Sequence, residues 1–157
     1  MMNEATEEHR WLHRMVGEWA YESSFEPEPG AEPMIATGTE RVEALGDLWI
    51  IGKGSGEIPG GGTMHSRMTL GYDPATGRYP GSWIASVMAH MFVYDGSRDG
   101  DVLTLETEGP SMTEAGGTAR YRDIIELIGA DRRLLRSCVL GDDGLWTEFM
   151  RAEYRRV

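Results

Sequence analysis

The sequence predicts an all-β fold: an antiparallel up-and-down barrel of about ten strands, entered by a short N-terminal helix. From residue 17 onward the chain is a succession of short segments rich in Val, Ile, Thr, Tyr, Phe and Trp, which is typical of strands. Turn sequences such as residues 73–77 (Asp-Pro-Ala-Thr-Gly) and 142–144 (Asp-Asp-Gly) separate these segments, and loops this short join antiparallel neighbours. Closing the sheet removes the two exposed edges that an open meander would have.

The N-terminal helix is predicted over residues 4–16. Thr6 is placed to cap it, and the following acidic pair Glu7-Glu8 lies near its positive end, where carboxylates are stabilising. An apolar face is supplied by Trp11, Leu12, Met15 and Val16. The length of 157 residues fits one domain, so we expect a single domain over residues 1–157 with the barrel over residues 17–156.

The predicted strands share β-branched and aromatic residues and end at turn residues. They cover residues 18–26, 35–45, 48–57, 64–72, 79–87, 90–94, 102–108, 119–127, 134–140 and 146–155. Because side chains alternate between the two faces of a strand, the apolar face of each segment predicts which side chains point into the barrel.

Two predicted interior faces carry a carboxylate. In residues 119–127 the inward set includes Tyr121 and Asp123, and in residues 146–155 it includes Trp146, Glu148 and Met150. Burying a bare carboxylate is very unfavourable, so these acids favour either a wet lumen that holds a ligand or acids near the barrel mouths that pair with arginines. Eight strands enclose room for one small ligand, and about ten should enclose more.

Composition excludes several classes of function. The net charge of -11 disfavours nucleic acid and anionic lipid as partners, and no apolar run is long enough to span a membrane. The single cysteine, Cys138, rules out an internal disulfide and a thiolate metal cage. The acidic N-terminal segment does not resemble a secretory signal, so we expect a cytoplasmic protein. Whether the chain forms a homo-oligomer is left open.

Three motifs invite a functional interpretation, and two of them favour a structural one. Gly52, Gly54 and Gly56 are followed by a strand and lack the Lys-Ser/Thr of a phosphate loop, so they predict a sharply bent strand. His9 and His13 have metal-ligand spacing but no third ligand, so we expect an exposed helix face and no metal site.

The third motif is His90, which lies among apolar neighbours in residues 87–92. A polar ring in such surroundings needs a partner. It is either a satisfied core or surface histidine, or a lumen imidazole that binds haem iron, transfers protons or orients a ligand. Both faces of this segment are apolar, so the pattern does not decide its direction.

Short motifs along the whole chain resemble a known family. Gly17-Glu18-Trp19 after the helix and the ending Tyr154-Arg155-Arg156 resemble the lipocalin and fatty-acid-binding (calycin) pattern, in which the Trp closes one barrel end and an Arg packs across it. That resemblance implies that Trp19 is a plug covered by Arg155 or Arg156.

The resemblance becomes more specific when the internal motifs are added. Together with residues 45–49 (Leu-Gly-Asp-Leu-Trp), 70–74 (Leu-Gly-Tyr-Asp-Pro), 81–83 (Gly-Ser-Trp) and 103–109 (Leu-Thr-Leu-Glu-Thr-Glu-Gly), the order of motifs is similar to a bacterial family of unknown function, DUF1579. This family implies no activity and no catalytic residues. A looser similarity to haem-binding nitrobindin barrels rests on the helix, the Gly-x-Trp and about ten strands.

These observations favour a binding protein over an enzyme. The first hypothesis is a small apolar or amphipathic ligand in the lumen, with no resident cofactor. The second is a haem or metal barrel that uses His90 or His65, and the third is an isomerase or cyclase in which Asp123 or Glu148 moves a proton. The expected ligand-binding residues are the following: Met68, Trp83, Met88, His90, Tyr121, Asp123, Glu148 and Met150.

Overall fold

The predicted barrel is confirmed by the computed structural model, which describes residues 2–28 and 30–157. In this part of the chain one helix precedes ten antiparallel strands, and β1 pairs with β10 to close the sheet. The elements are α1 (Glu7–His13), β1 (Gly17–Phe25), β2 (Met34–Leu45), β3 (Trp49–Glu57), β4 (Thr63–Gly71), β5 (Tyr79–Ala85), β6 (Phe92–Asp99), β7 (Val102–Pro110), β8 (Thr118–Ile128), β9 (Arg132–Leu140) and β10 (Trp146–Arg156). Each strand pairs only with its sequence neighbours apart from that closing pair.

The helix is shorter than the predicted 4–16. Thr6 is its N-cap, with extended backbone angles that prevent the helix from starting earlier. After His13 the chain continues in single turns to Gly17, whose φ of +139° is far from helical.

His9 is buried, and the expectation that it lies on an exposed face is wrong. Its Nδ1 accepts a hydrogen bond from the Thr6 backbone N–H at 2.9 Å, which satisfies one orphan donor of the helix start. Its Nε2 lies 2.9 Å from the Tyr72 carbonyl oxygen. The imidazole therefore joins the helix start to the end of β4, and the helix pattern alone did not show this tertiary contact.

One end of the barrel is closed by the helix and by Trp19. The indole is 2% exposed, and its Nε1 donates to the Met15 carbonyl oxygen at 2.9 Å. The Arg156 guanidinium lies over the ring at 4.3 Å from the centroid, and its Nη1 donates to the Val16 carbonyl oxygen. Of the two arginines suggested by the resemblance, Arg156 is the one that covers Trp19, while Arg155 is exposed.

Gly17 is needed for this arrangement. A Cβ at Gly17 would lie 2.3 Å from Nη1 of Arg156, so any side chain there would collide with the guanidinium over Trp19. The Gly-x-Trp motif and the penultimate arginine are thus parts of one packing unit at the closed end.

A β-bulge in β10 overturns part of the predicted inward face. Met150 pairs with Ser137, but the next paired residue toward the start of the strand is Glu148, opposite Cys138. Because one residue is unpaired there, the alternation shifts. Glu148 is on the outer face and exposed, 3.2 Å from Arg151, and Trp146 also lies outside.

The β5–β6 connection differs from the predicted strands 79–87 and 90–94. At Ala85 the chain enters a turn, in which the Met88 N–H donates to the Ala85 carbonyl oxygen. Residues 86–91 therefore form a loop, and β6 starts only at Phe92. His90 and Met88 lie in this loop.

The half of the barrel nearest the helix is filled by side chains. Inward-facing residues there are almost completely buried: Val42, Ile50, Leu70, Leu103, Leu105, Ile125 and Leu127. This half is therefore a packed core with no room for a ligand. The opposite half ends at the segments 26–28, 30–33, 58–62, 86–91, 111–117 and 141–145, which we call the mouth.

Candidate functional site

The half of the barrel nearer the mouth differs from the closed half in the exposure of its inward-facing side chains. Ser23, Ser66, Asp123 and Met150 point inward by their strand register, yet each is only half-buried. A side chain that faces the barrel axis can keep accessible surface only if it borders internal space. The half nearer the mouth is therefore less tightly packed than the closed half.

Aromatic rings surround much of this space. The rings come from β1, β5, β6, β8 and β10, and we call them the aromatic belt: Phe25, Trp83, Phe92, Tyr121 and Phe149. Neighbouring rings of the belt contact one another with centroids 5.9 to 6.1 Å apart, within the range of favourable aromatic pairs. Four of the five are half-buried. The belt thus offers the apolar wall that small-molecule sites typically have.

A hydrogen-bonded cluster lies directly below the belt, toward the closed end. Asp123 on β8 accepts hydrogen bonds from the Tyr94 hydroxyl of β6 and, at 2.6 Å, from the Ser137 hydroxyl of β9. Burial raises the pKa of Asp123, while the hydrogen bonds from Ser137 and Tyr94 oppose that shift. Burial, together with the neighbouring carboxylate, raises the pKa of Tyr94 well above its ordinary value.

The value of the Ser137 hydrogen bond can be tested against a neighbouring hydroxyl. Replacing Ser137 by Ala is expected to lower the free energy of unfolding by about 1 kcal/mol, because Asp123 loses a donor. The control is Thr107→Val, since the Thr107 Oγ1 is buried and has no partner among residues 2–28 and 30–157. This variant should be as stable as the wild type or more so. Urea unfolding of both variants measures the difference, and equal losses would contradict the assignment.

A buried ion pair lies in the packed half, close to Trp19. Glu40 and Arg133 form an ion pair in which the two side chains are only 10% and 2% exposed. The Arg133 guanidinium lies 3.9 Å from the Tyr154 ring centroid and 4.9 Å from that of Trp19. Burial lowers the pKa of Arg133 to about 10, so it stays protonated at neutral pH. Its charge is already matched by Glu40.

Two of the glycines in the bent strands make room for one tyrosine. A Cβ at Gly38 would lie 2.4 Å from the Tyr21 ring, and one at Gly56 would lie 2.1 Å from its hydroxyl. Tyr21 therefore lies across β2 and β3 on the inner wall, and burial raises the pKa of its phenol. Of the three glycines that could suggest a phosphate loop, Gly56 has this packing role, while a Cβ at Gly52 or Gly54 would approach Glu40 or Ser66.

The expected ligand-binding residues divide into two groups. Those that line the open half or its floor are Met68, Trp83, Tyr121, Asp123 and Met150. Three lie elsewhere: Glu148 is on the outer face, Met88 is 41% exposed in the mouth loop, and His90 lies in the same loop. Asp123 is thus the lumen carboxyl that remains for any proton transfer, since Glu148 cannot reach the lumen from outside.

Reasoning from the sequence missed several residues of the open half: Phe25, Phe92, Phe149, Tyr94 and Ser137. Phe25 follows from Trp19 by simple alternation within the predicted strand 18–26, whereas Phe92 and Tyr94 needed the observed bounds of β6. Phe149 could not be found in this way, because the bulge in β10 turns it inward against Tyr121.

None of the four histidines lies at mid-lumen. His9 is at the closed end, His13 contacts the Gly46 carbonyl oxygen, and His65 is exposed on the outer face of β4. The His90 Nε2 lies 3.0 Å from the Glu108 carbonyl oxygen, and its ring packs edge-on against Phe92. These positions do not favour an axial haem ligand inside the barrel.

The described residues also contain no group of three or more His, Cys, Asp or Glu side chains placed to hold a metal ion. Nor does the part of the chain that the structure describes include a helix of the length and apolarity that a bilayer crossing requires.

The fold defines the class of closed ten-stranded antiparallel barrels with one short helix at the packed end. Within this class the chain belongs to the DUF1579 family, a family of proteins of unknown function whose model matches residues 4–156. No curated protein matches the sequence.

Solved structures share the fold at low sequence identity. The crystal structure of Rv2717c from M. tuberculosis is 14% identical, with a TM-score of 0.64 over 98% of this chain and 99% of that one. A de novo designed fluorescence-activating β-barrel is 14% identical, with a TM-score of 0.52 over 92% of this chain and 95% of the other. The redesigned barrel mFAP1, bound to DFHBI, is 12% identical, with a TM-score of 0.52 over 94% and 99% of the two chains.

Proposed function

We propose that this protein binds a small apolar or amphipathic molecule in the open half of its barrel. The observation that carries the proposal is the accessible surface of inward-facing side chains around Ser23, Asp123 and Met150. Solid cores do not leave such surface. A mostly apolar wall with a few convergent polar groups is the usual composition of a small-molecule site.

In this proposal the aromatic belt holds the body of the ligand. Met68 and Met150 adapt to its shape, since thioether side chains fill irregular gaps. Asp123 and its two hydroxyl partners bind the polar end of the ligand. The designed barrels of similar fold, one of them bound to DFHBI, support the idea that such an architecture accommodates a small molecule.

The first measurement is native mass spectrometry of freshly purified protein, followed by incubation with a panel of lipids and metabolites. We expect either a co-purified mass or uptake of at least one panel member. A protein that carries no bound mass and takes up none would contradict the proposal.

A pair of neighbouring serines tests the location. Ser23 faces the lumen and Ser24 the outside, and both are half-buried on β1. Replacing Ser23 by Phe is expected to abolish uptake because the added ring fills the open half, whereas Ser24→Phe should leave uptake unchanged. Circular dichroism establishes that both variants fold. Equal uptake by the two folded variants would place the ligand outside the lumen.

A further inference from the structure

We propose that the lumen site selects an organic cation, meaning a protonated amine carried on a flat or apolar body, with Asp123 as its counter-ion. This inference rests on the proposed function, because it names the class of ligand that the same site takes.

The inner wall of the barrel carries few charged side chains. Among the described residues, five charged side chains face inward by register: Glu40, Arg98, Asp123, Arg133 and Arg156. Arg156 covers Trp19 at the closed end. Glu40 and Arg133 neutralise each other. Arg98 is at the closed end, where its Nε donates to the Tyr79 hydroxyl at 2.7 Å.

Asp123 is the inward-facing charged residue of the open half. Its hydrogen-bond partners are two neutral hydroxyls, and none of the ion pairs in the described part of the chain includes it. A carboxyl group that borders internal space without a cation can be neutralised by a bound cation. A bound carboxylate would instead meet a like charge and find no free guanidinium or ammonium in this half of the lumen.

The position of the aromatic belt relative to Asp123 supports the same class of ligand. Tyr121 is the next inward residue on β8, and Phe92 is the next inward residue after Tyr94 on β6. An ammonium group that reaches Asp123 therefore carries its body past these rings. Aromatic faces attract cations electrostatically, and cages of such rings recognise ammonium ligands.

Two further properties of the protein favour a cationic ligand. Burial raises the pKa of Asp123, and the groups that oppose this rise are the uncharged hydroxyls of Ser137 and Tyr94. The net charge of -11 also raises the concentration of cations near the surface and repels anions.

The test compares three probes that share one ring system and differ in charge: naphthylmethylamine, which is protonated at neutral pH, naphthylmethanol and naphthoate. Titration calorimetry on the wild type is expected to give the order amine, alcohol, carboxylate, with about tenfold between successive dissociation constants.

The outcomes separate this inference from the proposed function. If the carboxylate binds as tightly as the amine, the inference is overturned while lumen binding stands, provided that Ser23→Phe abolishes binding. If the alcohol binds as tightly as the amine, the inference is likewise overturned while lumen binding stands, under the same condition on Ser23→Phe. If none of the three binds at millimolar concentration, the inference is overturned and the proposed function loses support as well.

A matched pair of variants assigns the selectivity to Asp123. Asp123→Asn and Glu148→Gln each remove one negative charge, but Glu148 lies on the outer face beside Arg151. We expect Asp123→Asn to abolish the preference for the amine over the alcohol, and Glu148→Gln to keep it. Loss of the preference in both variants would show a general charge effect and overturn the assignment. The probe series on the wild type decides the proposal even if Asp123→Asn does not fold.

Discussion

Replacing Trp19 by Ala is expected to lower the free energy of unfolding by about 3–5 kcal/mol, the loss typical of a large buried aromatic side chain. The indole is 2% exposed. The guanidinium carbons of Arg156 and Arg133 lie 4.3 and 4.9 Å from its ring centroid. Its N–H also satisfies the Met15 carbonyl oxygen. Truncation removes all three interactions and leaves a cavity at the closed end.

The matched control is Trp146→Ala on the outer face. Trp146 is half-buried and stacks with Arg122 at 4.0 Å, so its truncation removes a stacking contact without opening a core cavity. We expect a loss of about 1 kcal/mol. Urea unfolding compares the two variants, and a Trp19→Ala protein as stable as the wild type would show that Trp19 does not plug the barrel.

The position of Trp19 also predicts that its replacement leaves the proposed ligand-binding site intact. The open half of the lumen lies at the opposite end of the barrel from Trp19. We therefore expect Trp19→Ala to change ligand uptake only through its loss of stability. At a temperature where the variant remains folded, uptake should equal that of the wild type.

The architecture followed from local signals that tertiary structure reinforces. Strand composition and turn residues predicted ten strands and an antiparallel meander, and closure followed from the disadvantage of exposed edges. The Gly17-x-Trp19 motif predicted the closed end, but a choice between Arg155 and Arg156 needed the register of β10 against β1. That register pairs Trp19 with Arg156.

The site was harder to predict because its residues depend on interruptions of the alternation. The bulge in β10 moves Glu148 out of the lumen, and nothing in the composition of residues 146–155 marks it. In residues 86–91 both faces are apolar, so periodicity could not distinguish a strand from the exposed loop that carries His90. Asp123 was predicted inward, yet its partners Tyr94 and Ser137 lie on other strands. Their contacts depend on the pairing of β8 with β9 and on the registers of β6, β7 and β8.

Breaking the ion pair between Glu40 and Arg133 is the second change with a large expected effect. Either Glu40→Leu or Arg133→Met should lower the free energy of unfolding by about 3–5 kcal/mol, because the remaining charge stays buried without compensation. Removing one partner of a solvent-exposed ion pair changes the free energy of unfolding very little. Glu43→Gln, which removes the exposed pair with Lys53 on the adjacent strands, is therefore the control and should leave stability unchanged.

The double variant Glu40→Leu with Arg133→Met distinguishes an uncompensated charge from simple loss of packing. If the charge is the cause, the double variant should be more stable than either single variant, since two apolar side chains can replace a buried pair at little loss. The Glu40 carboxylate packs closely against Gly52 of β3, where a Cβ would lie only 2.7 Å from it. The Leu side chain at position 40 must therefore fit beside the backbone of β3. Additive losses in the cycle would mean that packing against Trp19 and Tyr154, and not charge, makes Arg133 important.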